Sequence, residues 1–301
     1  PGTADAQNYL GYRQAGVNRL SIGIQSFDDK QLQQLGRIHD SAQANAAFKM
    51  ARAAGFDRIN LDLMYALAGQ SVADAMLDLE QAIALQPEHI SWYQLTIEPN
   101  TRFSNQPPEN LPDEDMIWEI QQAGMKKLQQ AGYHQYEISA WSKAGEQCEH
   151  NLNYWNFGDY LGIGAGAHGK ISDVNSQQVI RTRRKKQPHH WTAKKIDTLA
   201  EASAIEKNEL ALEFMMNAMR LNHGVLLSTF SERTGLTIAA INEQLKEARK
   251  LELLDNRTDL LKPTEKGLMF LNDLLSLFMP ENISLEKQGN DMANNIIIKE
   301  V

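Results

Sequence analysis

The chain has 301 residues, 42% of them hydrophobic and 23% charged, with 30 basic and 38 acidic side chains and a formal net charge of −8. This globular composition is long enough for two domains, its acidic balance argues against nucleic acid as the main partner, and no apolar run is long enough to span a bilayer. One cysteine can neither staple an extracellular fold nor hold an iron–sulfur cluster unaided, and nothing resembles a secretory signal, so the reading is a cytoplasmic protein.

The opening stretch, PGTADAQNYLGYRQAG, begins at Pro1 and reads as the last helix of a unit already under way, as in an N-terminally truncated chain. Three stretches then look alike: AGVNRLSIGI at 15–24, AGFDRINLDL at 54–63 and AGYHQYEISA at 131–140. Each sets a glycine where a helix stops, then a short turn, then a strand; glycine suits the left-handed cap after a helix. HISWYQLTIE at 89–98 supplies a fourth strand, and between the strands Met76, Leu79 and Ile83 share one helical face, while Asp113 can cap a helix ending at Gly132. Alternating strands and helices predict an α/β fold: a partial (β/α) barrel lacking its first strands, because four strands are too few to close one.

Chemistry in such folds sits at the C-terminal ends of the strands, where Gln25, Asp62 and Glu98 stand. Each polar side chain in an apolar strand needs a partner. Taken singly, Gln25 and Asp62 read as hydrogen-bonded ties between loops; together they read equally well as a ligand pocket.

CEHNLNYW at 148–155 holds the only cysteine, two places before His150, and reads as two donors on a short loop. YLGIGAGAHGK at 160–170 is rich in glycine but has neither the Lys-Ser or Lys-Thr of a Walker loop nor a Rossmann fingerprint. It reads as backbone approaching a flat ligand, with His168 facing it, or as a tight strand crossing. RTRRKK at 181–186 is a solvated basic loop or an anion clamp. From about residue 206, three short helices, a β-wing at TDLLKPTEKG and a last amphipathic helix predict a small winged-helix-like domain. Its third helix carries mixed charge, which favours packing over DNA binding. The expected layout is a barrel at 1–180, a basic linker at 181–205, the winged-helix-like domain at 206–281 and a loose tail at 282–301.

GVNRLSIGIQSFDD, LGRIHD, NLDLMY, WYQLTIEPNT, PDED, QYEISA, HNLNYW and GDYLGIGAGAHGK follow one another in this order. In that succession, over about residues 1–281, the chain resembles the oxygen-independent coproporphyrinogen III oxidase-like family of radical S-adenosylmethionine (SAM) proteins. HNLNYW matches the His-Asn-x-x-Tyr-Trp of the family's haem-chaperone branch, which the oxidase branch lacks. The resemblance implies SAM contacts at Gln25, Arg37, Asp62, Gly164, Ala167 and His168, with Arg37 toward the carboxylate and Asp62 and Gln25 toward the ribose hydroxyls. It also implies haem ligation at His150, with Cys148 as a weaker alternative and Tyr154 lining the site, against the plain reading that these residues only pack and hydrogen-bond.

Two departures accompany the resemblance. The Cys-x3-Cys-x2-Cys loop that holds the family's 4Fe–4S cluster lies upstream of the matching region, so this chain by itself is expected to hold no ligand for that cluster and not to cleave SAM. Ala66 and Ala68 also stand where the family usually has the glycine and proline of Gly-Leu-Pro-x-Gln. The expected function is that of a haem chaperone, binding haem and delivering it to haem-receiving proteins; the alternative is an oxidase that decarboxylates coproporphyrinogen. No nucleic-acid partner is expected, and a homodimer is compatible with the reading.

Overall fold

The computed structural model describes residues 1–2, 6–99, 101–173, 176, 178–192 and 198–280, so the tail expected at 282–301 lies outside the described residues. The chain divides into two compact units, Pro1–Gln147 and Cys148–Val301. The first unit runs α1 (Ala6–Gln14), β1 (Arg19–Gln25), α2 (Asp29–Gln34), α3 (Ser41–Ala53), β2 (Arg58–Tyr65), α4 (Val72–Ala84), β3 (His89–Gln94), α5 (Arg102–Asn105), α6 (Glu114–Gln130), β4 (His134–Glu137) and β5 (Ala140–Ser142).

Local signals account for the helices. Asp40 with Gln43 and Ser71 with Asp74 form capping boxes for α3 and α4, and Asp113 Oδ1 accepts from the Met116 N–H to cap α6. Gly16, Gly55 and Gly132 have φ of 98°, 85° and 82°, the left-handed cap expected after each helix. The strands alternate. Ile22, Ile24, Ile59, Leu61, Leu63, Ile90 and Trp92 fill one face and pack on Ala44, Ala47, Phe48 and Ala51 of α3, Leu79 of α4 and Ile120 of α6. A Cβ on Gly124 would lie 1.9 Å from Trp92 Cη2, so only glycine lets α6 cross the indole this closely.

The sheet order is β1-β2-β3-β5-β4, with β1, β2 and β3 parallel, as the α/β expectation requires. The third of the alike stretches departs from the expected pattern. AGYHQYEISA does not make one strand: it turns at Ile138 and Ser139, and β5 enters antiparallel between β3 and β4. The buried Glu137 closes that turn, accepting from Ser139 N at 3.2 Å and Ser139 Oγ at 3.0 Å. The strand expected over 89–98 likewise stops at Gln94.

The second unit begins with α7 (Glu149–Trp155), then a three-stranded antiparallel sheet of β6 (His168–Asp173), β7 (Gln178–Arg184) and β8 (Leu199–Ala204), with α8 (Pro188–Thr192) between β7 and β8. Residues 148–180, read from sequence as barrel, thus group with the C-terminal half. The segment read as a basic linker forms β7 and β8, whose ladder pairs Arg181 with Ser203 and Arg183 with Glu201. There follow α9 (Leu210–Ala218), β9 (Val225–Leu226), α10 (Leu227–Thr234), a 3-10 turn (Ile238–Ile241), α11 (Asn242–Lys250), β10 (Leu260–Leu261), α12 (Glu265–Met269) and α13 (Leu271–Ser276). β9 pairs antiparallel with β10, and Phe214, Phe230, Leu245, Leu261 and Leu274 share one core, which is the winged-helix-like arrangement. The third helix opens with the 3-10 turn, and the last helix breaks at Phe270.

Candidate functional site

The sheet of the first unit has a second face. Strand alternation that sends leucine and isoleucine to the helices sends Ser21, Gly23 and Gln25 of β1, Asn60 and Asp62 of β2, and His89, Ser91 and Tyr93 of β3 the other way. Register brings them together: Ser21 pairs with Asn60, Gly23 with Asp62, and Asp62 with Ser91.

These side chains bond to one another. Asp62 Oδ2 accepts from Ser21 Oγ at 2.8 Å, and Asp62 Oδ1 accepts from Asn60 Nδ2 at 2.7 Å. Asn60 Oδ1 faces His89 Nδ1 at 2.6 Å and accepts from Ser91 Oγ at 3.1 Å, while His89 Nε2 lies 2.8 Å from Tyr136 Oη. Burial raises the Asp62 pKa, and the hydrogen bonds from Ser21 and Asn60 oppose that rise.

Gln25 ends β1 at a bulge, with φ of 73°, a left-handed conformation unusual for a residue with a side chain. Its side chain folds back over Gly23, where a Cβ would meet Gln25 Nε2 at 2.8 Å. Two residues beyond the strand, the backbone is held by α4: Asp78 Oδ1 accepts from Phe27 N at 2.6 Å and Asp78 Oδ2 from Ser26 Oγ at 2.8 Å. Asp78 is 4% exposed, and burial first, then the charges of Asp28 and Asp74, push its pKa up to about 6 against the bonds it accepts. His39 Nε2 donates to the Ile24 carbonyl at 3.1 Å, which anchors the α2–α3 loop at the C-terminal end of β1; the exposed Arg37 is two residues before it. Glu98 lies in the loop after β3, near Thr96 and Thr101.

Gln25 and Asp62 therefore share one polar face, and Arg37 sits on a loop tied to the same end of β1. Sequence reading missed Ser21, Asn60, His89, Ser91, Tyr93 and Tyr136. For all of these but Tyr136, the available signal was the two-residue alternation of RLSIGIQ, RINLDL and HISWYQ. Ala66, in the position where the resemblance expects glycine, has φ of 59° and is buried, so the loop keeps the left-handed bend that glycine would favour.

In the second unit, CEHNLNYW is not a short loop but the start and body of α7. Cys148 is 3% exposed, whereas His150 is exposed. Cys148 is the N-cap, with extended backbone and a buried side chain, whereas His150 lies in the exposed first turn, so the two donors face different surroundings. His150 meets Tyr154 edge-on at 6.5 Å, and Tyr154 meets Tyr160 edge-on at 4.7 Å. Trp155 packs on the second core, with the Arg220 guanidinium 4.2 Å from its ring centroid.

The glycine loop ends where His168, exposed, begins β6; Gly164 and Gly166 have φ of 110° and 74°. Arg184 Nε donates to Gly162 O at 3.1 Å, Arg184 N to Ala167 O at 2.8 Å, and Gly166 N to Lys185 O at 2.9 Å. RTRRKK is thus not a loop: its first four residues end β7, where Arg181 pairs with Glu213, Arg183 pairs with Glu201, and Arg184 braces the glycine loop.

Among the described residues, no group of three or more His, Cys, Asp or Glu side chains could hold a metal ion, and no helix is long and apolar enough to cross a membrane.

A model of the radical SAM superfamily matches residues 1–82, and a model of the HemN C-terminal domain matches residues 205–270. The fold resembles coproporphyrinogen III oxidase from Escherichia coli, a radical SAM enzyme, with a TM-score of 0.74, 19% identity, and coverage of 92% of this chain and 67% of that one. These features define an α/β protein of the radical SAM superfamily with a HemN-type C-terminal domain. The chain is also 46% identical to the heme chaperone HemW of Haemophilus influenzae, over 93% of its own length and 72% of that protein's. It is equally 46% identical to the heme chaperone HemW of Escherichia coli, over 93% and 73%. The chain belongs to the HemW family.

Proposed function

We propose that this protein is a haem chaperone, binding haem and passing it to haem-receiving proteins in the cytoplasm. The observation that carries the reading is the 46% identity to HemW proteins over 93% of the chain. The exposed His150 on α7, beside Tyr154 and Tyr160, supports it locally. A haem iron takes an axial imidazole, and His150 offers one in the open. The sulfur of Cys148 is buried, so His150 is the ligand in this reading and Cys148 is not.

The polar sheet face of the first unit fits the adenosyl part of SAM. Asp62 and Gln25 present acceptors for ribose hydroxyls, and Arg37 offers a guanidinium for the methionine carboxylate. Gly164, Ala167 and His168 lie in the second unit, and their part in SAM binding is tested separately by His168→Ala. For the 4Fe–4S cluster, Cys148 is the one cysteine of the sequence and is buried, so the residues present do not fit that group and no step runs through it.

The test is a haem titration of the full chain followed at the Soret band, beside His150→Ala. Saturable binding lost in the variant supports the reading. Binding that survives the substitution moves the ligand elsewhere, and absence of binding by a folded chain removes haem from the proposal.

A further inference from the structure

Asp62 stands at the end of a chain of buried polar groups whose hydrogen-bond directions follow from chemistry. Asn60 Oδ1 has no hydrogen to give, so at 2.6 Å the proton must sit on His89 Nδ1. His89 Nε2 then accepts from Tyr136 Oη at 2.8 Å. With its oxygen held by His89, Asn60 turns its amide NH2 outward, donating to Asp62 Oδ1 and to Ser21 Oγ, each at 2.7 Å. Ser21 in turn donates to Asp62 Oδ2. A flipped Asn60 would set its carbonyl against the Asp62 carboxylate, and its NH2 would then require the other His89 tautomer, with Tyr136 Oη accepting rather than donating. His89 is fully buried, Tyr136 is 3% exposed and Asn60 is 4% exposed, so neither rotamers nor water can easily relax the arrangement. Four strands contribute: β1 supplies Ser21, β2 supplies Asn60 and Asp62, β3 supplies His89, and β4 supplies Tyr136.

We infer that Asn60, held in one amide orientation by His89 and Tyr136, is a positioning residue that aims the Asp62 carboxyl at a hydroxyl-bearing ligand. The inference rests on the reading of Asp62 as a SAM-contacting residue and names what holds it ready. Each carboxylate oxygen has one protein donor in place, which fixes the plane of the group and leaves acceptor capacity for ligand hydroxyls.

The experiment uses the full chain with aspartate carboxyl carbons labelled with carbon-13, the Asp62 signal being assigned with Asp62→Asn. The Asp62 titration is followed by NMR, and affinity for SAM itself is measured by calorimetry across the same pH range, in the parent, Asn60→Ala and Tyr136→Phe. Loss of the Asn60 donor is expected to move the Asp62 midpoint upward, to carry the pH profile of SAM affinity with it, and to weaken binding about tenfold where Asp62 is ionised. Tyr136→Phe, which deletes one hydroxyl, is expected to move both in the same direction by less. An unchanged midpoint and pH profile in a folded Asn60→Ala overturn the inference; if that variant does not fold, Tyr136→Phe decides it. If Asp62→Asn leaves SAM affinity unchanged, the SAM reading of Asp62 fails, and the midpoint in Asn60→Ala still decides whether Asn60 controls the carboxyl.

Discussion

Tyr93 on β3 reaches past β2 and donates its hydroxyl to Gln25 Oε1 on β1 at 2.7 Å. Two strand spacings amount to roughly 9–10 Å, a span a phenol can bridge and a serine cannot. The bond holds the Gln25 side chain over Gly23, with the backbone in a left-handed conformation, so β1 ends with its amide in a set direction. Tyr93→Phe removes this bond and is expected to cost about 1 kcal/mol, read as a fall of a few degrees in melting temperature. Under the SAM reading it also weakens SAM binding, which calorimetry on the same samples measures; a variant with unaltered SAM affinity shows that the orientation of Gln25 is not needed for binding.

Asp78 makes the fold pH-dependent in a stated direction. Its pKa is raised to about 6 in the folded chain, chiefly by burial, so the folded state holds the proton more tightly than the unfolded one. The stability this group contributes is therefore fully present below the ordinary carboxylate pKa and is lost as pH rises through about 6, up to roughly 3 kcal/mol in total. Asp78→Asn keeps an acceptor for Phe27 N and removes the charge. In denaturant melts at pH 5 and pH 7, the variant is expected to gain on the parent as pH rises; a difference that stays constant with pH contradicts the assignment.

Under the haem reading, Cys148 and His150 give opposite expectations. Cys148→Ser is expected to leave the Soret titration unchanged while lowering stability by about 1 kcal/mol, because a hydroxyl replaces a sulfur in a site only 3% exposed. His150→Ala is expected to do the reverse, abolishing the titration with little change in the melt, because the ring is exposed. The two variants together report whether the iron meets the surface of α7 or its buried start.

Arg184 holds the glycine loop through Gly162 O, in a chain where Gly164 and Gly166 resist little motion by themselves. Arg184→Ala is expected to speed amide hydrogen exchange at residues 162–167 severalfold while leaving exchange in the β6–β7 ladder unaltered. Arg184→Lys lacks the fixed guanidinium fork and should restore only part of the protection.

The α/β character, the three parallel strands, the glycine caps and the winged-helix-like arrangement were all legible in the sequence. Each depends on signals a few residues apart: a capping side chain, a glycine that accepts positive φ, or an alternation of polar and apolar residues. Gln25 and Asp62 were legible too, as polar residues in apolar strands. Pattern alone misplaced AGYHQYEISA and RTRRKK. A short strand and a turn closed by Glu137 look alike in sequence, and a basic run reveals neither its ladder partner nor the acid opposite each arginine.

The rest depended on groups distant in sequence. Asn60, His89 and Tyr136 are unremarkable as single residues. Only the register of β2 against β3, and the return of the chain through β4, bring them within hydrogen-bond distance. Cys148 and His150 look like a pair in sequence, yet the chain buries the N-cap Cys148 and exposes His150 in the first turn of α7. By itself the sequence determined which residues face which side of each strand and helix, because backbone geometry sets those periods of 2 and 3.6. Tertiary structure alone decided which of those faces meet, because strand order, register and burial are settled by packing energy summed over the whole sheet rather than by any local stretch.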